Sequence, residues 1–273
     1  MKQLLLVILM ALGRTAMAAE LMIELDETPQ VWTTEALLSH PQIRDIEIAD
    51  DVSYKRSMRY RAVPARTLLE GLAPGDHLQV IALDGFAAEL PASILLASEG
   101  ARAWLAVEDT QYPWPPLAPG RPSAGPFYLV WSDPAASQIS PEQWPYQVSR
   151  IRLQAPVAQR FPQLLPAPEA GVEIQAGYAA YQRHCMACHR LNAAGDATFG
   201  PDLNIPHNPT EYFSGDFLAQ YIRNPQSLRR WPQGRMPAFT EAILPVEELN
   251  ALLAYLQHMA SHKVPVPQDM PHN

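Results

Sequence analysis

The motif at residues 185–189, Cys-Met-Ala-Cys-His, constrains this chain more than any other feature of its sequence. Two thiols separated by two residues can form thioethers to the two vinyl groups of one porphyrin, and the histidine that follows can bind the iron. The motif therefore predicts one covalently attached haem c, held through Cys185 and Cys188, with His189 as an axial iron ligand. A chain that holds haem in this way builds part of its core around the porphyrin.

A Cys-x-x-Cys pair can also be half of a zinc site or a redox-active dithiol. The chain contains only two cysteines, so no second pair can complete a four-thiolate zinc site. No βαβ pattern surrounds the motif, as a thioredoxin-like dithiol would require. The haem interpretation is therefore favoured, and the sequence has no second motif for another haem.

The N-terminus has the pattern of a secretory signal peptide. Lys2 precedes an apolar run from Leu4 to Leu12, and residues 16–18, Ala-Met-Ala, offer small side chains at a cleavage site. The run is about half of the roughly 20 residues that a membrane-spanning helix needs, which disfavours an uncleaved anchor. We expect residues 1–18 to be removed on export to a bacterial periplasm, which leaves no membrane span.

The charge of the chain argues against a nucleic-acid partner. The formal net charge is −8, and removal of residues 1–18 takes away two basic residues and no acidic one, which leaves −10. The phosphate backbone repels a protein this acidic. Redox proteins, among them a periplasmic dehydrogenase, are the partners expected for a haem protein in this compartment.

Prolines are dense between residues 155 and 170. Proline fixes φ and lacks an amide hydrogen, so it interrupts helices and strands. We therefore expect a semi-stiff, extended linker with few packed contacts. Since the mature chain is longer than one core usually holds, the sequence predicts two domains, at residues 19–154 and 171–273, joined by residues 155–170.

The N-terminal domain is predicted to be α+β and mostly antiparallel. Apolar or alternating segments predict strands at residues 43–49, 59–63, 77–83, 86–90, 102–107, 127–131 and 147–153. Short helices fit residues 33–39, 64–72 and 91–97, and Pro64 suits the first position of the second helix. Asp84 and Gly85, between two predicted strands, predict a tight hairpin.

The C-terminal hundred residues or so resemble a class I cytochrome c domain over their whole length. Ile174, Gly177 and Tyr181 share one face of a predicted helix that runs into the haem motif. A second predicted helix begins after Pro245 and carries one apolar stripe, formed by Leu249, Leu252, Leu253, Leu256 and Met259.

The resemblance implies an all-α domain whose first and last helices cross closely at a small residue, for which Gly177 is suitably placed. It also implies that the carbonyl of Pro201 accepts a hydrogen bond from the ring of His189, which would fix the ring tautomer. His184, just before the first cysteine, is predicted to face solvent.

Met236 is the predicted sixth ligand of the iron. Residues 234–239, Gly-Arg-Met-Pro-Ala-Phe, follow a predicted helix from Gly215 to about Asn224. They resemble the proline-braced loop on which the family presents its distal methionine. A neutral thioether suits haem iron, and a loop methionine beside arginine has no obvious packing purpose. Weaker candidates are Met259, Met270, His207 and His258.

Histidine and methionine ligation would leave the iron no open position, so the expected activity is one-electron exchange at a raised potential. We therefore predict an electron carrier rather than a catalyst, with an N-terminal domain for docking or partner selection. Two alternatives stay open. The chain could be the haem subunit of a periplasmic dehydrogenase complex, or a haem-based sensor or small-molecule-binding enzyme.

Parts of the N-terminal domain resemble a shortened molybdopterin-binding domain of the sulfite oxidase superfamily. The matching segments are residues 63–69, 83–86, 114–117, 125–131 and 144–148. A cysteine thiolate binds molybdenum in that family, yet residues 19–154 contain no cysteine. The resemblance implies the fold without the molybdenum cofactor, because fold alone does not carry function. A lipocalin-like or other small β-rich binding module is the competing fold.

Basic residues are concentrated in one stretch of the acidic N-terminal domain, at Lys55, Arg56, Arg59, Arg61 and Arg66. Arg59 and Arg61 share one face of a predicted strand and could receive an anion or a docking partner. The favoured interpretation is a charged edge strand, which is protected from aggregation.

Overall fold

The computed structural model describes residues 19–197, 199–231 and 233–265 of the chain. The predicted signal peptide and Met270 lie outside these residues. A sheet-rich N-terminal region is followed by a helical C-terminal region, which confirms the predicted fold class. Among the described residues, no helix combines the length and the apolar character needed to cross a membrane.

Two sheets form the N-terminal region. The strands are β1 (Glu20–Glu24), β2 (Gln30–Thr33), β3 (Arg44–Ile48), β4 (Met58–Pro64), β5 (His77–Ala82), β6 (Ala87–Pro91), β7 (Arg102–Val107), β8 (Phe127–Ser132) and β9 (Val148–Gln154). One sheet has the order β2-β1-β9-β5-β6, and the other has the order β3-β4-β7-β8. Only the pair β1 and β9 is parallel among these strands, so the mostly antiparallel prediction is confirmed.

Short helices and large aromatic side chains complete this region. The helices are α1 (Thr34–Leu38), α2 (Ala65–Leu68) and α3 (Ala92–Leu95). Tyr60, Tyr128 and Trp131 are at most 2% exposed in the core. The hairpin between β5 and β6 contains Gly85 at φ 91°, a backbone conformation that glycine adopts readily, as predicted for this turn.

β1 and β2 are not among the predicted strands. Leu21 and Ile23 of β1 are fully buried, so the strand does alternate. It is only five residues long, however, and one of its partners is β9, where Ile23 lies opposite Ile151. A short strand with so distant a partner gives a weak local signal.

The basic stretch around Arg59 and Arg61 is not an edge strand. It lies on β4, between β3 and β7. Arg59 pairs with Glu47 of β3 at 3.2 Å, and Arg61 donates a hydrogen bond to the carbonyl of Leu38 at 2.8 Å. The edge-strand interpretation is wrong because β3, further back in the chain, covers that side of β4 with complementary charge.

The proline-rich segment between residues 155 and 170 is not extended. Residues Val157–Arg160 form α4, and residues Pro162–Leu164 form a 3₁₀ turn. Leu164 is fully buried in the core of the helical region, and its carbonyl accepts a hydrogen bond from the Tyr255 hydroxyl at 2.7 Å. The expectation of few packed contacts is wrong because prolines at the start of a helical turn displace no hydrogen bond.

The helical region is built on two crossing helices. Its helices are α5 (Val172–His184), α6 (Pro209–Tyr212), α7 (Phe217–Arg223), α8 (Pro225–Leu228) and α9 (Val246–Ala260). A Cβ atom on Gly177 of α5 would lie 2.0 Å from the carbonyl oxygen of Ala251 on α9. The rings of Tyr181 and Tyr255 lie beside this contact, with centroids 5.7 Å apart. The close crossing implied by the resemblance is therefore present.

Polar side chains hold the irregular segment between α5 and α6. Asp202 accepts backbone hydrogen bonds from Asn192, Ala193, Asn204 and Ile205. Asn204 and Asn208 are fully buried. Their amides donate to the carbonyls of Met259 and Leu256 on α9, at 2.7 and 2.9 Å. These bonds fix the segment against the last helix.

Candidate haem-binding site

The end of α5 delivers the Cys-Met-Ala-Cys-His motif. The backbone N–H of Cys185 donates to the carbonyl of Tyr181 at 2.9 Å, which continues the helical pattern. The N–H of His189 then donates to the carbonyl of Cys185 at 2.8 Å. This turn keeps both thiols and the imidazole on one short stretch of chain, and neither Cys185 nor Cys188 forms a disulfide.

His189 is held by the segment that contains Pro201. Its Nδ1 lies 2.8 Å from the carbonyl oxygen of Pro201. A carbonyl can only accept, so Nδ1 carries the proton and Nε2 presents a lone pair. Burial lowers the pKa of His189, against the opposing effects of Pro201 and Asp202, and this favours the neutral ring that binds metal.

Gly200 allows this contact. A Cβ atom at this position would lie 2.3 Å from Cε1 of His189, closer than any side chain permits. The sequence reasoning found Pro201 but not the need for glycine before it. The Gly-Pro pair carried that signal, because a glycine lets the backbone approach a ring closely.

The two cysteines are partly buried, and their surroundings favour the protonated thiols. Burial raises the pKa of Cys188 to about 11, and the carboxylates of Glu142 and Asp84 act in the same direction. Burial also raises the pKa of Cys185, again with help from Glu142. A redox-active dithiol needs a lowered pKa, so the protein environment disfavours that use of the pair.

Met236 lies in the irregular segment between α8 and α9, half-buried against the helical core. Arg223 of α7 holds the chain that follows it. Its Nη1 donates to the carbonyl of Phe239 at 2.9 Å and also to the carbonyl of Leu244. Sequence reasoning missed Arg223, whose only local signal is a cation in the last turn of a short helix.

The alternative iron ligands have other contacts. Met259 is 1% exposed in the core stripe of α9. The Nε2 of His258 accepts a hydrogen bond from the N–H of Ala167 at 3.0 Å. His207 is exposed. These placements favour Met236, whose role as the ligand stays a prediction.

His184 does not face solvent. It is 3% exposed, with Nε2 3.3 Å from a carboxylate oxygen of Glu248 and Nδ1 3.6 Å from one of Glu142. Its ring meets Phe239 edge-on, with centroids 5.9 Å apart. The prediction was wrong because it considered α5 alone, whereas Glu142 comes from the N-terminal region.

A comparison with family models agrees with this geometry. Residues 174–260 match the model described as cytochrome c. This part of the chain is a cytochrome c domain. The family implies a covalently attached haem c, and the unpaired thiols and the available Nε2 of His189 fit that group.

Other comparisons add little to the cytochrome c assignment. No curated protein matches the chain. Among solved structures, the chain is similar to the sulfane dehydrogenase SoxCD from Paracoccus pantotrophus, with 21% identity and a TM-score of 0.34. The match covers 50% of this chain and 38% of the SoxCD chain, so this chain spans less than half the length of the SoxCD chain. At this TM-score and identity, the resemblance supports no conclusion about fold or activity.

The N-terminal region packs against the haem-motif end of the cytochrome c domain. Phe86, in the hairpin between β5 and β6, meets Phe199 edge-on with ring centroids 6.3 Å apart. The hydroxyl of Ser140 donates to the carbonyl of Arg183 at 3.3 Å. Together with the contact of Glu142 to His184, these residues cover the chain on either side of the motif.

Tyr146 lies near the motif from the same side. Burial raises its pKa, Asp84 acts in the same direction, and the cations Arg121 and Arg235 oppose the shift. Arg235 immediately precedes Met236. The N-terminal region therefore lies close to both the haem motif and the methionine segment of the candidate site.

A charged network joins three parts of the chain. The side chain of Glu89 on β6 is only 4% exposed, and its carboxylate lies 2.5 Å from the guanidinium of Arg160 in α4. His77 Nε2 and the amide of Gln79 each lie 2.7 Å from the same carboxylate. Arg160 and Gln79 both reach Asp196 of the cytochrome c domain, at 2.9 and 2.7 Å. The proline-rich segment thus ties the sheet to the cytochrome c domain.

The N-terminal region does not fit a thiolate-bound molybdenum. Both cysteines of the chain lie in the haem motif, so residues 19–154 offer no thiol. Asp51, a buried carboxylate of this region, is 1% exposed and accepts hydrogen bonds from the hydroxyls of Tyr60 and Tyr128 at 2.8 and 3.3 Å. It also accepts from the N–H groups of Ser53 and Tyr54, so its oxygens are satisfied by the chain itself.

Proposed function

We propose that this protein is a periplasmic, mono-haem cytochrome c that passes single electrons between redox protein partners, with an N-terminal domain that selects the partner. The observation that carries the proposal is the hydrogen bond from His189 to Pro201, which leaves Nε2 of a neutral imidazole beside two unpaired thiols. Haem c, when bound, supplies reversible one-electron chemistry at its iron. The presence of one attachment motif supports a single haem.

Each residue of the site has its own task in this proposal. Cys185 and Cys188 would hold the cofactor covalently, and His189 would bind the iron, with its ring orientation fixed by Pro201. Met236 would be the second protein ligand, and Arg223 holds the carbonyls of Phe239 and Leu244 that follow it in the chain. Two protein ligands would leave no position on the iron for a substrate, which favours electron transfer over catalysis at the metal.

The position of the N-terminal domain supports a part in partner selection. Cytochromes exchange electrons through the part of the haem edge that a partner can approach. Near the motif, Glu142 of the N-terminal domain contacts His184, and Phe86 contacts Phe199. A partner that approaches from this side meets the N-terminal domain, so its surface would decide which proteins come close.

Three parts of the proposal rest on the sequence. Export rests on the signal pattern of residues 1–18, and the domain limits at residues 19–154 and 171–273 rest on the change in composition across residues 155–170. The molybdopterin-binding resemblance is likewise part of the proposal, as a fold used for contact with partners and without its molybdenum.

Replacement of Met236 tests the ligand set. Met236→Ala should abolish the weak sulfur-to-iron absorption of the oxidised protein and lower the reduction potential, because the ligand that favours ferrous iron is lost. Met259→Leu is the matched control, since this buried core methionine should leave both properties unchanged. Equal spectra and potentials in native protein and Met236→Ala would contradict the assignment.

Three further measurements separate the proposed function from its alternatives. Acid–acetone extraction should leave the haem on the chain, and release of all the haem would rule out thioether attachment by Cys185 and Cys188. Addition of carbon monoxide should leave the native spectrum unchanged, whereas a shift would favour a sensor with an open position. Co-purification with a stoichiometric dehydrogenase would favour a haem subunit of a complex.

A further inference from the structure

A basic cavity lies in the N-terminal domain, apart from the haem site. Its volume is about 110 Å³. The polar and aromatic side chains that line it are Gln42, Arg44, Arg66, Ser98, Arg102 and Trp104. None of these residues has a part in the proposed electron transfer.

The sheet topology explains why three arginines converge there. β4 is antiparallel to both of its neighbours, β3 and β7. The starts of β3 and β7 therefore lie at the same edge of the sheet as the end of β4, where α2 begins. Arg44 and Arg102 are the first residues of β3 and β7, and Arg66 lies in α2. Because adjacent strands are about 4.8 Å apart, long side chains from all three elements can reach one point.

The charges of these arginines are not neutralised by nearby acids. Among the described residues, neither Arg44 nor Arg66 forms an ion pair, and Arg102 has only a 3.7 Å contact with Asp133. Both side chains of that contact are about half exposed or more, at 48% and 70%, so it contributes little. Arg59, from the same basic stretch, is paired with Glu47 instead. The three arginines are exposed, so solvent screens part of their mutual repulsion, and an anion between them would relieve the remainder.

The cavity has the size and chemistry for a small anion. A volume of about 110 Å³ exceeds the space for one water several times over, but it is well below the roughly 300–1,000 Å³ of drug-sized ligand pockets. Guanidinium groups present planar pairs of N–H donors that match the oxygens of oxyanions. The indole of Trp104 is fixed by a hydrogen bond to the Ser132 hydroxyl at 3.1 Å and forms a rigid wall.

We propose that Arg44, Arg66 and Arg102 form a binding site for a small divalent oxyanion of the sulfate or phosphate type. The local concentration of positive charge matters because the whole chain carries a net charge of −8 and would otherwise repel such ions. The site is independent of the haem, so this proposal stands or falls separately from the proposed electron transfer.

Calorimetric titration of the intact, haem-loaded protein tests the site. The probes are sodium sulfate and sodium phosphate, each added at constant ionic strength with chloride as the balancing anion. We expect one saturable site. Arg66→Gln and Arg102→Gln should each weaken binding by about tenfold, since each removes a charge-assisted donor.

Arg59→Gln is the matched control, because it removes a positive charge from the same basic stretch at an exposed side chain outside the cavity. It should leave affinity within about twofold, as expected for a screened surface charge. An unchanged haem spectrum in every variant verifies that the protein is folded.

Three results would overturn the proposal. The first is that neither anion shows saturable binding with a stoichiometry of about one per protein. The second is an equal loss of affinity in Arg59→Gln and Arg66→Gln, which would reduce the effect to general charge. The third is Arg66-dependent binding of a glutamate peptide more tightly than sulfate, because the surface would then dock an acidic protein.

Discussion

Backbone pairing between strands holds the N-terminal domain together, whereas the cytochrome c domain relies on two crossing helices and on polar side chains that bind irregular segments. Large buried side chains such as Tyr60 and Trp131 fill the first core. In the second, amides such as that of Asn204 reach carbonyls of α9. Because strand pairing uses groups that every non-proline residue carries, we expect the strands of the N-terminal domain to tolerate the loss of polar side chains better.

The largest expected effect comes from the helix crossing of the cytochrome c domain. Gly177→Val should lower the free energy of unfolding by about 3 kcal/mol, because a side chain cannot fit against Ala251 without moving α9. Gly75→Val in the N-terminal domain is the control, since a Cβ atom there meets nothing within 4 Å. Denaturant unfolding followed by circular dichroism and haem absorbance measures both. Equal losses of unfolding free energy in the two variants would show that the helix crossing is no more sensitive to a side chain than an open loop.

Single polar side chains provide the most direct test of the comparison. Asn204→Ala should cost about 2 kcal/mol of unfolding free energy, because the carbonyl of Met259 would lose its buried partner. Ser149→Ala in β9 removes a 3.2 Å hydrogen bond to the carbonyl of Ile81 and should cost less than about 1 kcal/mol. The same unfolding measurements apply. A larger loss for Ser149→Ala would reverse the comparison.

The contact between the domains should contribute less than either core. Arg160→Ala should cost about 1.5 kcal/mol of unfolding free energy, which is below the usual loss for a broken buried pair because Glu89 keeps His77 and Gln79. Arg150→Ala, which removes an exposed pair with Glu24 at 3.5 Å, should cost less than about 1 kcal/mol. Hydrogen exchange should rise in β6 only for Arg160→Ala. Exchange that is unchanged there would mean that the network does not hold the domains together.

The smallest expected effect is a pH dependence of stability at His258, which binds the proline-rich segment through Ala167. Burial lowers the pKa of His258, and His262 adds repulsion. Because the unfolded pKa is higher, stability is fully present above about pH 6.5 and falls as the pH drops below it. Protonation of Nε2 also displaces the N–H of Ala167. His258→Gln should flatten this decline in melting temperature between about pH 5 and pH 7. An identical decline in the variant would assign it to other groups.

Local patterns were sufficient for most strands and for the haem motif. β3 to β9 lie within about two residues of their predicted limits, because each combines an apolar or alternating run with turn residues at its ends. The haem motif places Cys185, Cys188 and His189 close together in sequence, so their chemistry can be recognised before the fold is known. Pro201 was found through the resemblance to class I cytochromes c, whereas Arg223 and Gly200 were missed because their partners are not their sequence neighbours.

The sequence by itself determined the two fold classes and the attachment motif, and its resemblance to class I cytochromes c implied the crossing at Gly177. Tertiary structure alone decided that His184 is buried beside Glu142, that Arg160 meets Glu89, and that Arg66 shares a cavity with Arg44 and Arg102. Burial and pairing of a charged side chain depend on which distant residues the chain brings near it. A local pattern of side chains records the period of a helix or strand, but it does not record the distance between residues dozens of positions apart.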